Sequence, residues 1–162
     1  MAYSIVMEDV TFTYKYGEKP AIKNINLKVE EGEKLLITGP AGAGKTTLCR
    51  CLNGLIPYHF TGEFKGRIVV QGLDTRKNDV GDLSSVVGLS FQNPLDQIVC
   101  ASVMDEIAFG PENLGLPEGV INGRVEESLE MARLTGYEDT NPLSLSGGQQ
   151  QSCCIAAIIA MH

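Results

Sequence analysis

The chain has 162 residues, of which 43% are hydrophobic and 20% charged, and it carries a net charge of −7. Its length suits one domain that buries roughly two-thirds of its surface, and its composition excludes a disordered chain. Scattered acidic charge sets aside nucleic acid and anionic membrane surfaces as principal partners.

From the N-terminus, Val10, Phe12 and Tyr14 alternate with Thr11, Thr13 and Lys15, and Ile25, Leu27 and Val29 alternate with Asn26, Lys28 and Glu30. Period-two patterning on either side of the turn-forming Tyr16–Pro20 predicts two antiparallel neighbours. Lys34–Thr38 is a short apolar run of the type found in buried strands. A glycine-rich loop and a helix over Lys45–Asn53 follow, with Gly54 as the C-terminal cap. Arg67–Gln71 and Val86–Phe91 read as further strands. Ser102 caps a short helix ending near Phe109. Pro117 starts another helix, with Ile121, Val125, Leu129 and Ala132 on one face, and Gly147–Met161 forms a last helix capped by Ser146. The longest apolar run, Cys153–Met161, is far short of the ~18 residues a bilayer requires, so direct membrane insertion is not expected. Five cysteines, Cys49, Cys51, Cys100, Cys153 and Cys154, form no CxxC pair. With no signal peptide, they fit reduced thiols in a cytosol.

Gly39-Pro40-Ala41-Gly42-Ala43-Gly44-Lys45-Thr46-Thr47 matches the phosphate-loop pattern GxxxxGK[ST] between a predicted strand and a predicted helix. Glycines let successive N–H groups converge on phosphate oxygens, and the helix N-terminus adds partial positive charge. In such a loop Lys45 reaches the β- and γ-phosphates and the Thr46 hydroxyl ligates Mg²⁺. GxGxxG is not matched, so a nicotinamide cofactor is not indicated.

Two further motifs follow in order, Phe91-Gln92-Asn-Pro-Leu-Asp-Gln97 and Leu145-Ser146-Gly147-Gly148-Gln149. With the phosphate loop they resemble the Q-loop and signature sequence of ABC ATPases. The resemblance covers essentially the whole chain. It implies an α/β fold: a P-loop NTPase core, an N-terminal antiparallel β region and a helical signature subdomain. The expected division is one ABC ATP-binding domain over 1–162, with a β-rich phosphate-loop core at 1–91, the Q-loop and helical segment at 92–146, and the signature helix at 147–162.

The resemblance also implies ATP and Mg²⁺ as ligands, Gln92 as a catalytic residue and metal ligand beside Thr46, and Ser146, Gly147, Gly148 and Gln149 as contacts to nucleotide on a second ATPase subunit. Tyr14 matches the family's adenine-stacking aromatic, and it also fits a core tyrosine on the face of Val10 and Phe12. Gly62-Glu63, Gly72–Thr75, Phe91–Gln97 and Asp105–Gly115 resemble the energy-coupling factor importers, whose cargo is a metal ion or vitamin. A transmembrane subunit is then the expected partner, met through Gln92–Gly115 with Asp105 and Glu106 as contact charges. The expected location is cytoplasmic, on the inner face of the membrane. Two other readings are a nucleotide-binding remnant that dimerises or regulates without hydrolysis and a non-transport ABC ATPase. The latter usually carries long coiled coils between the two outer motifs, and no sustained heptads lie there.

Ser152 stands where the family has an arginine after the signature. The family's metal-holding Asp, general-base Glu and switch His lie in the C-terminal part of its fold, past the point matching His162. The expectation is that residues 1–162 alone do not hydrolyse ATP.

Overall fold

A computed structural model describes residues 2–162. The chain forms two compact units, 1–87 and 88–162.

In the first unit, β1 (Tyr3–Tyr14) lies between β2 (Ile22–Glu30) and β3 (Gly62–Val70), and β4 (Leu73–Asp74) extends the edge beside β3. All pairings are antiparallel. The two alternating patterns thus form neighbouring strands as expected, with one irregularity that simple alternation misses. Met7, Val10 and Phe12 are all buried although the first step between them is odd. A register shift between Glu8 and Thr11 of β1 inserts one extra residue opposite β3 and returns the following side chains to the core face. Gly66 sits opposite this bulge at φ 88, and a Cβ there would approach the Asp9 and Glu8 carbonyl oxygens to 2.5 Å. On the outer face, Asn26 Nδ2 donates to Asp9 Oδ1, and Thr11 Oγ1 donates to Asn24 Oδ1.

Helix α1 (Lys45–Leu52) packs Leu48 and Cys51 against Met7, Phe12, Ile22, Ile56, Ile68 and Val70 of this unit. A short irregular turn, α2 (Leu55–Tyr58), and helix α3 (Val80–Ser84) complete it. Asp79 and Asp82 form a reciprocal capping box on α3.

Two predicted strands are corrected. Lys34–Thr38 and Val86–Phe91 form no ladder among the described residues. Leu36 is 84% exposed, with Leu35 and Ile37 also exposed. An apolar run shows that a segment suits a covered strand, but a strand exists only when a second backbone supplies its hydrogen bonds.

The second unit is helical: α4 (Val103–Asn113), α5 (Glu118–Ala132) and α6 (Gly147–Ile159). Ser102 caps α4 through Asp105 N–H, and Pro117 stands at the N-cap of α5. Val103, Ile107, Val125, Leu129, Leu134, Leu145, Cys153, Ala156 and Ala160 form its core, with Ile121 and Ala132 packed at its margin. Helix α4 runs four residues beyond the expected Phe109, because Pro111 lies in its last turn, where the missing N–H removes one bond without ending the helix. Ile155 and Ile159 of the apolar α6 remain exposed. Arg124 of α5 donates to the carbonyls of Ala160 and Met161, placing a cation at the C-terminal end of α6.

Burial in these two cores pushes the Cys51 and Cys153 thiols up to about 12, from an ordinary 9.0. For Cys153 the nearby Glu106 carboxylate adds to the effect. The folded chain therefore holds more protons than the unfolded chain between these values. Stability is expected to fall as pH rises from 9 towards 12. Urea titrations across that range should show it, and the fall should shrink in Cys51→Ala.

Candidate functional site

The loop before α1 is built on three glycines with positive φ: Gly39 at 155, Gly42 at 79 and Gly44 at 91. Only the last is crowded. A Cβ on Gly44 would press into the Ala21 carbonyl and lie 2.9 Å from Ile22 Cγ2, so the loop closes tightly onto the start of β2. Gly44 is also the N-cap of α1 and offers no side-chain acceptor. The first-turn N–H groups of α1 are thus left uncapped by any side chain, with the positive end of the helix behind them.

Lys45 Nζ donates to the carbonyls of Gly39 and Pro40 at 2.7 and 2.8 Å, so the cation sits within the curl of its own loop. Ala43 N–H donates to Pro40 O and tightens that curl. The two adjacent threonines have opposite fates. Thr46 is exposed, whereas Thr47 is buried with its Oγ1 3.0 Å from the Tyr14 hydroxyl. Pro40, Ala41, Gly42 and Ala43 are exposed.

Tyr14 is half-buried, sits edge-on to Phe12 at 4.9 Å between ring centroids, and packs against the core of the first unit. Beside it an open pocket of about 600 Å³ is lined by residues that include Thr13, Lys15, Gly17, Thr61 and Glu63.

In the second unit Gln92 is exposed in a loop pinned on both sides. Phe91 N–H donates to Gln97 Oε1 at 3.0 Å, and Asn93 caps the short 3₁₀ turn Pro94–Asp96. At the signature, Ser146 and Gln149 form a capping box: Gln149 N–H donates to Ser146 Oγ, and Ser146 N–H donates to Gln149 Oε1. Ser146 Oγ also lies 2.9 Å from Gln149 Oε1. Gly147 and Gly148 are exposed in the first turn.

One expectation fails here. Glu106 is not a surface contact charge: it is only 4% exposed, and its Oε2 accepts from Val99 N–H at 2.9 Å and Cys100 N–H at 2.8 Å. Helix α4 turns it inward to close the preceding loop, while Asp105 beside it stays exposed. Helical spacing carried this signal, since Val103, Glu106 and Ile107 share a face. Gln151 and Ser90, joined by a 2.7 Å hydrogen bond, are a pair that no motif in the sequence singles out.

A curled glycine loop closed by Lys45 and opening an uncapped helix defines a phosphate-loop protein of mixed α/β architecture. The family model described as ABC transporter matches residues 22–162, and the chain belongs to that family. A Methanosarcina acetivorans protein named "Putative ABC transporter ATP-binding protein" is 49% identical over 157 residues, covering 97% of this chain and 24% of its own length. A Pyrococcus horikoshii protein of similar name is 43% identical, covering 97% of this chain and 55% of its own.

Among solved structures, cbiO1 from Clostridium perfringens, part of the ABC transporter complex cbiONQ, superposes with a TM-score of 0.84 at 31% identity. That match covers 99% of this chain and 62% of cbiO1. The ATP-binding cassette MJ0796, a dimer bound to ADP and Pi, gives a TM-score of 0.79 at 29% identity, over 96% of this chain and 69% of its own. No helix among the described residues is long and apolar enough to cross a membrane.

Proposed function

We propose that this chain binds MgATP through Gly39–Thr47 and serves an importer of the energy-coupling factor type, in which ATP binding and hydrolysis drive uptake of a metal ion or vitamin. The observation that carries the nucleotide reading is Lys45 lying inside a curled loop that ends on an uncapped helix N-terminus. The likeness to cbiO1 and the wording of Phe91–Gln97 and Asp105–Gly115 support the importer type.

In this reading the loop N–H groups and Lys45 take the phosphates. The exposed Thr46 hydroxyl and the Gln92 amide oxygen are hard donors of the kind Mg²⁺ accepts, and they are its proposed protein ligands. The metal would supply charge neutralisation at the phosphates. Ser146–Gln149 are proposed to meet nucleotide held by a second ATPase subunit, and Gln92–Gly115 to face a transmembrane subunit at the inner side of the membrane. Tyr14 is proposed to border the base through the pocket beside it.

Lys45→Ala removes a charge-assisted contact worth about 1.5–3 kcal/mol, so MgATP affinity is expected to fall about 10- to 150-fold by calorimetry. Equal affinity in the two proteins would overturn the assignment.

A further inference from the structure

The loop bearing Gln92 is laid along the signature helix at three points. At Gly88 there is no room for a side chain, because a Cβ would press into Ile158 Cγ2. At Ser90 the hydroxyl oxygen accepts from Gln151 Nε2 at 2.7 Å, in a partly buried setting. At Pro94 the carbonyl lies 3.9 Å from Cys154 Sγ. Positions 151, 154 and 158 are spaced three and four apart, so they share one face of α6. The Ser90–Gln151 bond is the directional one of the three, and it stands two residues before Gln92. It also lies on the first turns of the helix whose N-terminus carries Ser146–Gln149. The Gln92 side chain itself makes no hydrogen bond among the described residues, so its position is set through these neighbours.

We propose that Gln151 is a positioning residue: by anchoring Ser90 it holds the Gln92 loop in register with the signature turn, so that the two motifs move as one piece. The proposal rests on Gln92 meeting the nucleotide-bound metal, as proposed above. A hydrogen bond across 61 residues of chain, made in a partly buried setting, is suited to that task.

The test combines amide exchange on the nucleotide-free protein with ATP calorimetry in the presence and absence of Mg²⁺. Gln151→Leu and Ser90→Ala should each speed exchange over residues 89–97 about fivefold, the effect of one lost hydrogen bond, and the double variant should be no faster. Gln151→Glu should keep protection, since the Ser90 hydroxyl can donate to the carboxylate. The gain in ATP affinity that Mg²⁺ brings should shrink in Gln151→Leu as it does in Gln92→Ala, and no further when the two are combined. Unchanged exchange, multiplying effects of the two single variants, or an equal loss of affinity with and without Mg²⁺ would overturn the proposal. Unchanged ATP affinity in Lys45→Ala would instead overturn the nucleotide reading, and the exchange data would still decide whether Gln151 holds the loop.

Discussion

Gly44→Ala is expected to lose both stability and ATP binding, and to lose far more than Gly42→Ala. Both glycines have positive φ, at 91 and 79, so each alanine carries left-handed backbone strain of about 1–2 kcal/mol. They differ in surroundings. A Cβ on Gly42 meets nothing within 4 Å, whereas one on Gly44 meets the Ala21 carbonyl and the Ile22 side chain at the start of β2. Overpacking of that kind adds about 1–3 kcal/mol. Relief requires α1 to move away from β2, which would also open the loop around Lys45. Denaturant melts should show a loss of about 2–5 kcal/mol for Gly44→Ala, the sum of those two costs, against about 1–2 for Gly42→Ala. Equal melts for the two variants would refute the packing argument.

Glu106→Ala is expected to destabilise the second unit by about 1–3 kcal/mol, because two N–H groups of a partly buried loop lose the shared, buried acceptor that closes it. Glu106→Lys should be worse, since it buries an ammonium against the same two donors. Glu106→Gln keeps a carbonyl oxygen in place and should cost least of the three. Asp105→Lys, one residue away on the exposed face, reverses a favourable charge in the first turn of α4, an effect of about 1 kcal/mol at an exposed site. Urea unfolding of the four variants should rank them Lys, Ala, Gln, then Asp105→Lys. A mild Glu106→Ala would mean that the loop at Val99 and Cys100 finds other acceptors.

The contrast between Asp105 and Glu106 shows where the sequence was readable. Period-two runs located β1 and β2, and capping residues located α1, α4, α5 and α6, because these signals are local and repeat along one element. Ser146 and Ser102 cap the helices they were expected to cap. The bulge at Asp9 was hidden, since an inserted residue depends on what Gly66 allows on the facing strand. The failure of Lys34–Thr38 and Val86–Phe91 to pair has the same origin: composition describes one backbone, and a ladder needs two. Glu106 is buried where the family resemblance implies a contact charge, although its helical neighbours Val103 and Ile107 already mark that face of α4 as the inner one. Gly39–Thr47 was legible as a glycine-rich loop opening a helix. That Lys45 would turn back onto Gly39 and Pro40, and that Thr47 would pair with Tyr14, depended on side-chain geometry that no spacing encodes.

The capping box at α6 bears on the role proposed for Ser146 towards phosphate. A serine has a single hydroxyl hydrogen, and here an acceptor already stands 2.9 Å away on Gln149. A phosphate oxygen arriving from another subunit would have to compete for that hydrogen, so the contact is an exchange of acceptors and its yield is only the difference between them. A doubly charged oxygen group wins such a competition against a neutral amide, whereas a weakly charged or distant one does not. The box therefore sets a threshold: the serine hydroxyl stays with its own helix until an acceptor of sufficient charge comes within reach, while Ser146 N–H keeps its bond to Gln149 Oε1 and holds the turn in place.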